Sequence, residues 1–279
     1  MEHTATLLSL MAFPDIDPVI FSLGPVQVRW YGLAYVTGIL LGWRYARRLV
    51  ENRRLWPEGG SHISALDIDD FLIWATVGIV AGGRIGYILF YDFAAVSANP
   101  LRAFEIWNGG MSFHGGLLGT LAAMILFARS RAIPLFSLFD VVCAVVPFGL
   151  FFGRLANFIN SELWGKLTDA PWAVVFPTGG PFPRHPTQLY EAGLEGLLLL
   201  AVTALAVRAG GFRRPGLVAG VFGVGYGLAR IVSEFFREPD PQLEALAHGL
   251  TMGMVLSAPM IVIGLWLIVR GGRAEEARR

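Results

Sequence analysis

Three arginines, Arg84, Arg154 and Arg230, sit inside long apolar stretches. A charged side chain at the centre of a bilayer costs roughly 2.5–3.5 kcal/mol on insertion scales, so such residues face polar cavities or one another and mark sites. Arginine suits phosphate, because its planar guanidinium donates two parallel hydrogen bonds and stays ionised. In GYGLARIVSEFFRE, Tyr226, Arg230 and Glu234 recur every fourth residue on one helical face, with Arg237 three residues further on. In GRLANFINSELWG, Arg154 and Asn157 share a face and Glu162 follows just past the helix end. Arg84 shares a face with Tyr87, GMSFHGGLLG places His114 at the start of an apolar span, and Tyr31 opens another beside Trp30. Each has a plain alternative taken singly: a structural ion pair for Arg230 and Glu234, a structural histidine, an interfacial aromatic anchor. Together they describe arginines that grip an anionic lipid headgroup, with Glu, His and Tyr nearby to orient them or move a proton.

These residues need a membrane to hold them. Of 279 residues, 54% are hydrophobic and only 15% charged. A soluble domain carries about a quarter charged residues. The net charge of +1 gives no reason to expect nucleic acid as a partner. About 20 apolar residues cross a hydrocarbon core, and seven segments qualify: 26–46, 70–91, 111–129, 137–159, 188–207, 216–236 and 249–269. The expected fold is an all-α integral membrane protein, one polytopic domain with a small head formed by the outer loops 92–110 and 160–187. Of the 22 basic residues, fourteen fall in the connections after spans one, three and five or in the C-terminal tail, and five fall on the opposite side. Basic residues favour the cytoplasm, so the N-terminus is expected outside, the C-terminus in the cytoplasm, and the polar cluster toward the outer leaflet.

Glycines four apart in Gly38/Gly42, Gly82/Gly86, Gly115/Gly119 and Gly223/Gly227 signal close helix packing. Cys143, the one cysteine, excludes an internal disulfide and reads as a small buried apolar residue. Residues 1–28 lack the Lys or Arg of a secretory signal, and TATLLSLMAF is expected to form a short surface helix.

The segment GRLANFINSELWG resembles the signature of the prolipoprotein diacylglyceryl transferase family, and DPVIFSLGPVQVRWYGLAY, GGRIGYILFYD, GGMSFHGGLLG, RHPTQLYEA and GYGLARIVSEFFREPD match in the family's order. Ala156 stands where many members carry glycine. The resemblance implies a bacterial inner-membrane enzyme that moves the diacylglyceryl group of phosphatidylglycerol to the lipobox cysteine of preprolipoproteins, forming a thioether and releasing glycerol phosphate. The family's functional positions fall on Tyr31, His114, Arg154, Asn157, Glu162, Tyr226, Arg230, Glu234 and Arg237. In that reaction His114 is the first choice for the base, Arg154 and Arg230 hold the phosphate, and Asn157, Glu162 and Glu234 position headgroup and arginines. Arg84 is either structural or a secondary lipid contact. The scheme requires no metal and no cofactor.

An anion transporter explains buried arginines equally well, but not their gathering on one side, with spans five and seven lacking a continuous polar path. An aspartic signal peptidase needs two outer-leaflet aspartates, and Asp67, Asp69, Asp70 and Asp140 all fall toward the cytoplasm. A rhomboid-type protease needs a buried Ser–His pair, for which Ser112 beside His114 is poorly placed. An aspartate-rich phosphotransferase motif is missing.

Overall fold

A computed structural model describes residues 11–14, 16–24, 26–238 and 250–276. Within them lie the helices α1 (Trp30–Glu51), α2 (Ala65–Tyr87), α3 (Phe93–Ala98), α4 (Phe113–Ser130), α5 (Leu135–Ile159), α6 (Thr187–Glu191), α7 (Leu199–Arg208), α8 (Leu217–Glu234) and α9 (Met252–Glu276). Among the described residues, six stretches are long and apolar enough to cross a membrane: Ala65–Ala98, Phe113–Ser130, Leu135–Ile159, Thr187–Arg208, Leu217–Glu234 and Met252–Gly271. The protein is a multi-pass, all-α membrane protein. Helix α1 is 22 residues long but carries Arg44, Arg47 and Arg48 near its end, which lowers its mean hydropathy. Mid-helix side chains such as Leu40, Ile73, Leu118, Leu205 and Val262 are exposed, as lipid-facing residues must be.

Local chemistry sets the helix ends. Ser64 and Asp67 form a capping box at the start of α2, with Asp67 N donating to Ser64 Oγ at 3.1 Å and Ser64 N to Asp67 Oδ2 at 2.9 Å. Ser112 caps α4 by accepting from Gly115 N at 3.2 Å. Helix α8 starts at Gly216, which has no side chain to cap it. Asp140 of α5, fully buried, supplies that cap and accepts from Gly216 N at 2.7 Å and Ala219 N at 2.8 Å. These two bonds tie the helix carrying Arg154 to the helix carrying Arg230.

Three helix pairs dominate the packing: α2 with α4, α8 with α9, and α1 with α5. Between α2 and α4 the backbones touch through glycine, since a Cβ on Gly82 would come within 2.7 Å of Gly119 Cα and one on Gly86 within 2.8 Å of Gly115 Cα. A buried apolar core lies at the basic end, where Trp56 stacks on Phe212 at 4.5 Å and donates to the Leu49 carbonyl at 2.9 Å.

Short strands and turns flank the helices. Strand β1 (Met11–Ala12) runs parallel to β4 (Val174–Val175), and β2 (Val19–Leu23) pairs antiparallel with β3 (Val26–Arg29). The surface helix expected over TATLLSLMAF is not seen at Met11–Ala12, which pair as a strand; residues 1–10 lie outside the described residues. Residues 92–110, expected as a loop, hold α3 and two 3₁₀ turns, because the second span continues through a π-turn at Ile88–Asp92. A second π-turn, Ala192–Leu198, joins α6 to α7 within the Thr187–Arg208 span.

Candidate active site

The end of α5 organises the site. Arg154 and Asn157 lie one turn apart, and the chain beyond the helix folds back so that Asn157 Nδ2 donates to Glu162 Oε1 at 2.7 Å. Reaching that turn requires left-handed backbone at Ser161 (φ 55) and Leu163 (φ 58). Such conformations cost on the order of 1–3 kcal/mol each for ordinary residues and persist only where the surroundings enforce them. Those surroundings are visible. Gln188 Nε2 donates to the Glu162 carbonyl at 2.7 Å, and Thr187 Oγ1 donates to the Leu163 carbonyl at 3.0 Å. The motif's last glycine is explained too: Gly165 pairs with Arg237 as a β-bridge, and a Cβ there would meet Thr187 Cγ2 at 2.6 Å.

Arg154 meets two carboxylates from the fifth apolar span. Its Nη2 lies 3.1 Å from Glu195 Oε2 and its Nε 3.1 Å from Glu191 Oε2. Arg230 Nη1 donates to Glu191 Oε1 at 2.6 Å, and its Nη2 donates to Glu234. Arg237 Nη1 reaches Glu191 Oε1 at 3.4 Å. Glu191 and Glu195 are both fully buried. Removing one partner of such a buried network leaves an uncompensated charge, at a cost of about 3–5 kcal/mol.

Arg154, Asn157 and Tyr226 line the polar end of a cavity of about 550 Å³. Its walls are apolar: Gly38, Ile39 and Gly42 of α1, Phe71, Leu72, Ala75 and Ile79 of α2, and Val141, Val142, Val145, Val146 and Leu150 of α5. From Val141 to Asn157 this groove follows α5 for about 24 Å at the 1.5 Å rise of a helix. A long apolar channel ending at a guanidinium fits an amphiphile with an anionic head and an alkyl tail.

The sequence-predicted residues divide among distinct positions. Arg154, Asn157 and Tyr226 line the groove, and Glu162 joins through Asn157. Tyr31 shares a 3.0 Å hydroxyl contact with Tyr35, itself in the groove wall. Arg230, Glu234 and Arg237 stand behind Arg154 in the ion-pair network. His114 is exposed at the start of α4, its ring against Phe113, which lines the groove.

Arg84 is elsewhere. It is buried, and its guanidinium donates to the carbonyls of Ala103 (2.9 Å), Gly109 (3.0 Å), Gly110 (3.3 Å) and Arg102. It pins the loop leading to α4 and does not line the groove.

Glu191, Glu195 and Gln188 carry no role in the sequence-level reading. Two carboxylates four residues apart in YEAGLEGLLLL are as anomalous in lipid as the arginines, and the same rule finds them. Between α5 and α6, His185 Nδ1 lies 3.1 Å from the Tyr190 hydroxyl, which accepts from Trp172 Nε1 at 2.6 Å. Partial burial, and then the nearby Lys166 ammonium, push the His185 pKa below the usual histidine range.

A family model described as prolipoprotein diacylglyceryl transferase matches residues 18–270. Relatives named phosphatidylglycerol–prolipoprotein diacylglyceryl transferase include those of Sinorhizobium medicae (64% identical, covering 99% of this chain and 100% of the relative). The Rhizobium leguminosarum bv. trifolii relative is 63% identical over 98% of each chain, and that of Agrobacterium fabrum is 62% identical over 99% of this chain and 100% of its own. The chain belongs to the prolipoprotein diacylglyceryl transferase family.

Proposed function

We propose that this chain transfers the diacylglyceryl group of phosphatidylglycerol to the lipobox cysteine thiol of a preprolipoprotein, as the relatives' name describes for phosphatidylglycerol and prolipoprotein. The observation that carries the site assignment is the groove: apolar along its length, with Arg154, Asn157 and Tyr226 at one end. An acyl chain lies among the valines of α5, and the phosphate meets the guanidinium of Arg154. The Nη1 of Arg154 has no hydrogen-bond partner among the described residues and is the atom offered to phosphate.

The nucleophile comes from the substrate. Its sulfur attacks the glyceryl carbon, the carbon–oxygen bond breaks, and the electron pair leaves on the phosphate. A thiol with a pKa of about 8.5 needs a base or a cationic field to reach the thiolate, and His114 is the base in this reading. Arg154 stabilises charge growing on the leaving phosphate. Arg230, Arg237 and Glu234 order the cluster behind it, Tyr31 and Tyr226 flank the headgroup, and Glu162 fixes Asn157. The chain spans the membrane seven times, α1 included, with its N-terminus periplasmic, its C-terminus cytoplasmic, and the head and site toward the outer leaflet. This orientation rests on the asymmetry of basic residues.

Incubating the purified protein with phosphatidylglycerol and a lipobox peptide should add one diacylglyceryl mass to the cysteine. Arg154→Lys, a point charge where a planar fork is required, should lose nearly all of that product while remaining folded. Wild-type protein that leaves the peptide unmodified would refute the function.

A further inference from the structure

The buried charges beside the groove cancel. Arg154, Arg230 and Arg237 face Glu191, Glu195 and Glu234, with Glu191 near all three guanidiniums and Glu195 near two. Glu162 is occupied separately by Asn157. Although Glu191 and Glu195 are fully buried, Glu191 Oε2 and Glu195 Oε1 make no hydrogen bond among the described residues. The first sits 3.1 Å from Arg154 Nε and the second 3.8 Å from Arg230 Nη1, close enough for charge but outside hydrogen-bonding geometry. A buried polar network built for rigidity satisfies its acceptors. These two carboxylates supply charge beyond what their hydrogen bonds require.

The reaction gives that charge a purpose. Phosphatidylglycerol brings one negative charge on its phosphodiester. When sulfur displaces phosphate, the thiol proton goes to the base and on to water, and glycerol phosphate departs as a monoester. Phosphate monoesters carry about −1.5 to −2 at pH 7. Three uncompensated arginines would therefore hold the product more tightly than the substrate, and turnover would stall after one cycle.

We propose that Glu191 and Glu195 are positioning residues that keep the arginine cluster electroneutral, so that the more highly charged product is released. This inference rests on the transfer function proposed above. The charged and titratable groups around them are Arg154 on α5, Tyr226, Arg230 and Glu234 on α8, and Arg237 just beyond it. Both carboxylates act through the arginines and need not touch the lipid.

The test is product inhibition by glycerol phosphate in the peptide-lipidation assay. Glu195→Gln preserves size and removes one negative charge. One added charge about 6 Å away at an effective dielectric near 20 changes affinity by at least about tenfold. Glycerol phosphate should therefore inhibit Glu195→Gln at least about tenfold more strongly than wild type. KM for phosphatidylglycerol should fall together with kcat, and a burst of lipidated peptide should precede a slow steady state. Arg237→Gln should weaken product inhibition, and the double variant Glu195→Gln/Arg237→Gln should return toward the wild-type value. Inhibition that is unchanged or weaker in Glu195→Gln, or a double variant that fails to return, overturns the proposal. Should Glu195→Gln not fold, Glu234→Gln adds the same charge and carries the same prediction. Wild-type protein without transfer activity defeats the functional reading; an active enzyme with unaltered inhibition defeats this inference alone.

Discussion

Asn157 and Glu162 are joined by a 2.7 Å hydrogen bond across the end of α5, with Asn157 as donor. The bond closes a turn whose two left-handed residues, Ser161 and Leu163, flank the glutamate. It explains why the motif needs an amide and a carboxylate five residues apart. Asn157→Asp is nearly isosteric but replaces the donor with a second negative charge. Its transfer rate should fall by more than about tenfold, because like charges now oppose across a hydrogen-bond distance. Glu162→Gln in the same background should recover part of the loss. Full activity of Asn157→Asp in the lipidation assay would mean that the pair does not order the site.

Arg84 separates a structural role from a lipid-binding one. Its four carbonyl acceptors come from residues 102, 103, 109 and 110, on both sides of one loop. Arg84→Ala strips four partly buried carbonyls of their donor, at up to about 1–3 kcal/mol each. Thermal unfolding in detergent should drop clearly, while phosphatidylglycerol binding to the surviving folded fraction stays near wild type. An unchanged melting temperature with lost lipid binding would return Arg84 to the headgroup.

His114 is exposed and makes no hydrogen bond among the described residues, so none of them fixes its tautomer. Substrate must complete its surroundings if it is the base. His114→Gln should then slow transfer by about 10²–10⁴-fold and flatten the pH–rate profile. An unchanged rate and profile removes His114 from the mechanism.

His185 reports on the head. Its folded pKa lies below the usual value, through burial and Lys166. The unfolded chain therefore takes up the proton first as pH falls, and the histidine's stabilising contribution is lost below about 6.5, the ordinary histidine pKa. Protection factors for amide exchange in residues 160–187, which correct for the slower intrinsic exchange at lower pH, should fall between neutral and mildly acid pH in wild type, more than in His185→Gln. Equal exchange in both would show that this residue does not couple the head to pH.

The sequence made the apolar spans and the pairing of Arg154 with Asn157 legible, because both follow from hydropathy and spacing along one helix. The partners of Arg154 were harder to see. Its carboxylates come from a different span, near a π-turn at Ala192–Leu198 that breaks the regular helical spacing. Face-sharing rules relate residues within a helix and say nothing about which helices meet. Arg84 illustrates another limit, since backbone carbonyls are its partners and leave no mark in residue types. The cap given by Asp140 to α8 spans 76 residues and depends on the packing of α5 against that helix's start.

The groove's assignment to phosphatidylglycerol is tested most directly by an experimental structure of the protein with that lipid in a membrane mimic. Phosphate is expected within hydrogen-bonding reach of Arg154 Nη1, beside Asn157 and Tyr226, with one acyl chain running between α1, α2 and α5 toward Trp43. A headgroup bound elsewhere, with the groove empty and Arg154 still closed on Glu191 and Glu195, would contradict it.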